Sequence, residues 1–378
     1  MHDQRLDQLA KVLVHYSTRV RRDELVVITG AACCEPAVAA VYREVLRAGG
    51  HPWVRLVSEH CKELHVRHGS DTQLRFCSPF DKHVISACNV YISLWGEENT
   101  RALTSVDPKR QQLASLARKP WLKTFLKREG LPPKDPRRLR WVGTQYPTNA
   151  AAQDAEMSLA EYADFVFRAG KLHQPDPVAA WKKVGVAQQR LADHLNKCSE
   201  LRYRTPRGTD IRFGIAGRKW INCQGESNFP DGEVFTGPIE DATEGVVQFD
   251  FPAVTGGREV LDVRLVFRAG RVVEASASKN EAFLLKMLDQ DKGARILGEV
   301  AIGTNYDIRN FTRNTLFDEK IGGTVHMAVG AAYPATGGTN ESALHWDMVC
   351  DLRQGGTIEA DGKIISRNGK FTRAEWPK

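Results

Sequence analysis

At 378 residues, 42% hydrophobic and 26% charged, the chain exceeds the usual span of one hydrophobic core and lies far from disordered or fibrous compositions, so two globular domains are expected. The net charge of +7 is local: eleven Lys or Arg and three acids between Asp107 and Arg140 give +8 and leave the rest near −1, which argues against a nucleic-acid partner. The opening Met-His-Asp-Gln-Arg-Leu-Asp lacks a signal-peptide pattern, no run of about 18 apolar residues occurs, and the eight cysteines include no Cys-x-x-Cys; together these predict a cytoplasmic protein with reduced thiols and no membrane partner.

In chain order, Leu6, Leu9, Val12 and Leu13 set a helical period over Leu6 to Val20, and Asp23 to Gly30 follows as a short strand of the buried type. Pro36 to Ala48 predicts a helix with proline in its first turn and Val38, Val41, Val45 and Leu46 on one side. Strands are expected at Pro52 to Val57 and Asn89 to Trp95, an alternation that predicts an α/β domain with a parallel-type sheet. No Gly-x-Gly-x-x-Gly loop follows a strand, so a dinucleotide site is not expected.

In the basic segment, Leu113, Leu116, Trp121 and Leu122 read as the buried side of a helical region, and Leu131-Pro-Pro-Lys-Asp-Pro breaks it. Trp181 to Leu195 is helical again. From Leu201 the texture turns to short β-branched runs at Thr209 to Phe213, Val246 to Phe251, Val260 to Phe267 and Val272 to Ala277. A helix is expected at Glu281 to Leu288, and Asp361-Gly362 and Asn368-Gly369 mark hairpin turns. The domains expected are therefore 1–195, the α/β domain, and 196–378, an α+β strand-rich domain that carries the chemistry.

That second half holds a dispersed set of oxygen and imidazole donors: Glu233 in Pro-Asp-Gly-Glu-Val-Phe-Thr, Glu299 in Gly-Glu-Val-Ala-Ile-Gly, His326, and the pair His345-Trp-Asp347. A carboxylate such as Glu299 among Gly, Val, Ala and Ile is costly unless a cation or hydrogen bonds offset its desolvation. In an extended segment, His345 and Asp347 point to one side, which suits a metal or a His–Asp hydrogen bond equally. Glu233 reads as a turn carboxylate or a ligand, His326 as a core histidine or a ligand. Tyr333 reads on composition alone as a wall residue. His-Glu-x-x-His is absent, and the donors suffice for two divalent cations about 3.5–4 Å apart.

Asn228-Phe-Pro-Asp-Gly-Glu-Val-Phe-Thr-Gly-Pro238, Gly298-Glu-Val-Ala-Ile-Gly-Thr-Asn305, Asp318-Glu-Lys-Ile-Gly-Gly-Thr-Val-His326, Tyr333-Pro334 and Asn340-Glu-Ser-Ala-Leu-His-Trp-Asp347 resemble, in this order, the thermophilic metalloaminopeptidase family of aminopeptidases T and S. The resemblance implies two divalent ions (zinc, cobalt or manganese) on Glu233, Glu299, His326, Tyr333, His345 and Asp347. It further implies a homodimer that removes N-terminal residues from peptides with a free N-terminus. Spacing marks no catalytic base; Glu319 and Glu341 are the candidates, with Lys320 able to polarise a carbonyl. Two other readings stay open. One is a non-haem iron ring-cleaving dioxygenase of the dihydroxypyridine type, found among relatives of the family, on His326, His345 and Asp347. The other is a non-catalytic binding protein with a closed structural metal site.

Overall fold

The computed structural model describes residues 3–255 and 257–378. The chain divides into two compact units, Met1–Val178 with Gly225–Pro230, and Ala179–Gln224 with Asp231–Lys378. The expected division at residue 195 falls at the end of the helix Pro177–Leu195, whereas the units part near its start. Leu191, Ala192 and Leu195 of that helix pack into the core of the second unit, and this packing decides where the helix belongs.

The first unit is built on a parallel sheet whose order is His51–Val57, Leu25–Ala31, Val90–Trp95, Arg140–Gln145, with Asn228–Phe229 at the far edge. Leu25–Ala31 is apolar along its length because a central parallel strand is covered on both faces, and Val26, Val27 and Ile28 are buried. The helix Glu35–Arg47 begins with Pro36 and buries Val38, Val41 and Val45, as its spacing predicts, but Leu46 of the same expected face is exposed. The first helix, Gln4–Lys11, passes into a wider π-helical turn over Val12–Ser17. Among the described residues no helix is long and apolar enough to cross a membrane.

The basic segment forms the helices Pro108–Ala117 and Lys119–Glu129. Trp121 stacks on Phe125, and both meet Tyr91 of the sheet edge to face, which occupies the aromatic rings with packing. Arg128 donates to the carbonyls of Ile85 and Cys88, and Arg110 to those of Val66 and Gly69, so part of the positive charge is spent on internal hydrogen bonds. Leu122, expected on the buried side, is exposed instead.

The second unit contains an eight-stranded antiparallel sheet running from Arg271–Ser276 at one edge to Lys370–Phe371 at the other, with Asp210–Gly214 and Glu200–Arg204 at its centre. Beside it lies a five-stranded antiparallel sheet ordered His345–Asp351, Thr324–Gly330, Leu297–Gly303, Glu233–Thr236, Ile221–Cys223. Leu201, Tyr203, Ile211 and Phe213 of the first sheet and Val300, Ile302, Val325 and Met327 of the second belong to one buried cluster. Both expected hairpin turns occur, with Asp361, Gly362, Asn368 and Gly369 all at positive φ. The run Val260 to Phe267, expected as one strand, is two: Arg258–Val260 pairs with Ala253–Thr255, and Arg264–Arg268 joins the large sheet. Asp262, at φ 53°, turns the chain between them, a left-handed residue that hydrophobic periodicity does not register.

Strands of the five-stranded sheet approach their surroundings closely at Gly303, where an added Cβ would stand 2.2 Å from the carbonyl oxygen of Ile321. Gly303 pairs directly with Glu233. Gly303→Ala is therefore expected to destabilise the second unit by about 1–3 kcal/mol, read as a lower urea midpoint; an unchanged midpoint would contradict the packing described.

Candidate metal centre

The five-stranded sheet separates chemistry from core by its period of two. In His345–Asp351, Trp346, Met348 and Cys350 enter the buried cluster while His345 and Asp347 face the other way. In Thr324–Gly330, Val325, Met327 and Val329 enter the core and His326 faces the donors. Direct cross-strand partners share a face, and the register sets Asp347, Ala328 and Glu299 in one row, with His326 beside Ala301 in the next. The intervening positions on this face are small, Ala301, Ala328 and Gly303, which leaves room above the sheet.

Strict alternation along Leu297–Gly303 would put Leu297 and Glu299 on the same face. A register shift between them resolves the conflict: Leu297 pairs with Val329 and enters the core, while Glu299 pairs with Ala328 on the donor face. Gly298 sits at the shift, where a Cβ would come within 2.4 Å of the carbonyl oxygens of both Ala331 and Gly330. Glu233 reaches the same face from the neighbouring strand, with Cys223 directly across from it.

The donors converge. Nε2 of His326 stands 3.3 Å from Oε2 of Glu233 and 3.3 Å from Oε1 of Glu299. Nε2 of His345 stands 3.4 Å from the other oxygen of Glu299, Oε2, and 3.7 Å from Oδ2 of Asp347. Four sets of three donors have their ligand atoms within 4.8 Å of one another: Glu233–Glu299–His326, Glu299–His345–Asp347, Glu319–His326–Asp347 and Cys223–Asp231–Glu233. Nδ1–H of His345 donates to the carbonyl of Ala331 at 2.8 Å, which fixes the ring and aims Nε2 at the carboxylates.

Burial and mutual charge set the electrostatics. Burial is the largest influence on Glu233 and lifts its carboxyl to about 8, against the pull of Lys320 and His326. Burial also pushes Glu299 upward, but the hydrogen bonds from His326 and His345 outweigh it and hold that carboxyl at about 2. Asp347 is raised to about 6 by burial and by Glu319. Burial disfavours charge on both histidines, yet Glu299 and the neighbouring carboxylates raise His326 to about 9 and His345 to about 10. Lys320 is fully buried, ion-paired to Glu319 and 3.6 Å from Oε1 of Glu233, and these acids keep it charged well above its ordinary value despite the desolvation.

Of the residues singled out from the sequence, Glu233, Glu299, His326, His345, Asp347, Glu319 and Lys320 meet in this cluster. Tyr333 lies at its rim, 48% exposed, its ring edge to face with Phe235 and His345, and burial followed by the charges of Glu299 and Asp347 raises its hydroxyl pKa. Glu341 is exposed and enters none of the donor groups among the described residues.

Three contributors were not singled out. Asp231 precedes Glu233 by two residues, a spacing that could have drawn attention, whereas Cys223 reaches Glu233 only through strand pairing. Gln188, on the helix Pro177–Leu195, is fully buried; its amide donates to the carbonyls of Cys223 and Glu233 and its oxygen accepts from Thr304. A buried glutamine on an otherwise apolar helix face was the available signal. Beside the cluster, Pro252, Val254, Phe311 and Val349 wall a pocket that reaches Glu319 and Asp347. A separate cavity in the first unit, lined by His65, His68, Gln73 and Phe76, contains none of these donors.

The cluster fits divalent cations. Among the described residues, Oε2 of Glu233 is buried with no hydrogen bond, only an ion-pair contact with His326, and such an oxygen is satisfied by a cation. Asp231, Glu233, Glu299, Glu319 and Asp347 bring five carboxylates around one lysine, a charge that two divalent ions would bring to balance.

The chain is similar to known metalloproteases. The thermophilic metalloprotease (M29) family model matches residues 2–371. Aminopeptidase AmpS of Bacillus subtilis is 33% identical over 54% of this chain and 58% of its own length. Aminopeptidase T of Thermus thermophilus is 34% identical over 56% and 57%. The matched stretch thus spans about three-fifths of such relatives. Among solved structures, wild-type AmpT from Thermus thermophilus superposes with a TM-score of 0.85 at 23% identity, covering 98% of this chain and 99% of the other. A 2,5-dihydroxypyridine dioxygenase from Pseudomonas putida KT2440 does so with 0.61 at 15%, covering 98% of each. At these identities the two structures establish the fold alone.

A cation entering the cluster competes with protons, because burial raises the Glu233 carboxyl and the neighbouring carboxylates raise His326 and His345 despite their desolvation. Binding near neutral pH is expected to release protons and to tighten as pH rises. Calorimetry in buffers of differing ionisation enthalpy measures this; pH-independent binding without proton release would contradict it.

Proposed function

Because the chain belongs to the thermophilic metalloprotease (M29) family, we propose that it is a dinuclear metal-dependent aminopeptidase acting on peptides with a free N-terminus. The observation that carries the reading is the division of Glu299, whose Oε1 faces His326 and whose Oε2 faces His345. Glu299 would then be shared between two ions, Glu233 and His326 would hold one of them, and His345 and Asp347 the other. Tyr333, at the rim beside His345, would be a sixth ligand, as the family resemblance implies. Zinc, cobalt or manganese suits this oxygen and imidazole set. Divalent ions held there lower the pKa of water to about 7 and polarise a carbonyl.

The chain's own residues supply the rest. Glu319 has one oxygen on Lys320, which leaves the other to take a proton from the attacking water and pass it to the departing amide nitrogen. Lys320 is fully buried and engaged by two acids, so in this reading it positions Glu319 instead of touching the carbonyl. Glu341 has no role in it. The apolar wall of Pro252, Val254 and Phe311 receives the side chain of the leading residue. An N-terminal ammonium suits the carboxylates of the cluster, and the family resemblance adds a homodimer to the reading.

The iron-dioxygenase alternative uses only His326, His345 and Asp347 and leaves Glu233 and Glu299 as buried acids without a task. The shared fold does not separate the two, and the carboxylates favour the peptidase.

Chelator-stripped protein reconstituted with zinc, cobalt or manganese is expected to release the leading residue of unblocked peptides and nothing from N-acetylated ones. Glu319→Gln is expected to lower kcat about 10²–10⁴-fold while metal content is retained. No release from any unblocked peptide, or iron-dependent oxygen uptake with a dihydroxypyridine, would overturn the reading.

A further inference from the structure

We propose that Lys320 is a built-in cation that makes the two metal positions unequal, so that the position using Glu233 fills second and more weakly than the one using Asp347. The proposal rests on the two-metal reading and adds an order to it.

The donor group Cys223–Asp231–Glu233 has the composition of a cation site, yet it lies next to an ammonium the chain itself supplies. Lys320 is wholly buried, paired with Glu319, and 3.6 Å from Oε1 of Glu233. Asp231 is among the charges acting on it. Its backbone is pinned on both sides: its N–H donates to the carbonyl of Phe317, and its carbonyl accepts from the N–H of Asn305. The ammonium is therefore a fixed part of the cluster and not a mobile surface charge.

Glu233 consequently divides its oxygens. Oε1 faces Lys320, and Oε2, which makes no hydrogen bond among the described residues, is the oxygen left for a metal. A divalent ion on Oε2 stands one carboxylate away from a fixed positive charge in a buried region, where like charges repel far more strongly than in water. At the other position, the charged groups that act most on Asp347 are Glu319, His345, Glu299 and His326; Lys320 reaches that position only through its pair with Glu319, whereas it faces an oxygen of Glu233 directly. The same lysine offsets the charge of Glu319 and lies against Glu233 before any metal arrives, which helps the acidic side chains remain assembled in the metal-free chain.

The test is zinc titration of the chelator-stripped, full-length protein in competition with a chromophoric chelator. Wild type is expected to bind two equivalents with affinities at least about tenfold apart. Glu233→Gln should abolish the weaker step and Asp347→Asn the tighter one, an assignment that leaves Lys320 untouched. Lys320→Gln should tighten the weaker step by at least about tenfold, whereas Lys320→Arg, which keeps the charge, should preserve the wild-type gap. Circular dichroism of each zinc-loaded variant checks its fold. Equal steps in wild type, loss of the weaker step in Asp347→Asn, or an unchanged weaker step in folded Lys320→Gln would each overturn the proposal. A single equivalent in wild type would instead overturn the two-metal reading, so the two failures are distinguishable.

Discussion

The constraint on which the second unit depends is the burial of carboxylates on one face of a sheet whose other face is hydrophobic core. Asp231, Glu233 and Glu299 are each 6% exposed or less, and a charge so placed is tolerated only when paired. The chain offers Lys320, His326 and His345 as partners. Glu299 is satisfied by the two histidines and stays ionised, while Glu233 keeps an oxygen without a hydrogen bond and has its carboxyl pushed upward. This imbalance gives the cluster its demand for further positive charge, and the chemistry proposed for the site follows from that demand.

The sheet makes the arrangement possible through local features of its sequence. Alternation sends Val300, Ile302, Val325, Met327, Trp346 and Met348 to the core and the donors to the opposite face. The register shift at Gly298 reconciles a buried Leu297 with a donor-facing Glu299 two residues later. Small residues at Ala301, Gly303 and Ala328 keep the donor face open, and Gln188 ties the backbones of Cys223 and Glu233 to the helix beneath them. Position, charge and access thus trace to single residues whose alternatives would be too large, too apolar or unable to hydrogen-bond.

Much of this was legible in the sequence, for identifiable reasons. The parallel sheet of the first unit announced itself through continuous apolar strands alternating with helices, and the turns at Asp361-Gly362 and Asn368-Gly369 through residues that accept positive φ. Glu299 stood out because a lone acid in an apolar strand is costly, and His345-Trp-Asp347 because its spacing matches the strand period. What stayed hidden depends on distant pairing. Cys223 becomes a neighbour of Glu233 only across the sheet, and the break at Asp262 is a matter of one backbone angle. The helix Pro177–Leu195 could be read from its pattern, but not its membership of the second unit, since a periodic face does not say which core it will cover.

The overall fold is shared by an aminopeptidase and by a 2,5-dihydroxypyridine dioxygenase, so function has to be argued from the donor set and not from architecture. The central claim is that this set binds two cations through a shared Glu299. Anomalous scattering from crystals of the zinc- or manganese-loaded protein, recorded at the metal edges, tests it most directly. The account predicts two peaks about 3.5–4 Å apart, one contacting Glu233 and His326, the other His345 and Asp347, with Glu299 between them. A single peak held by His326, His345 and Asp347, with Glu233 and Glu299 turned away, would contradict it.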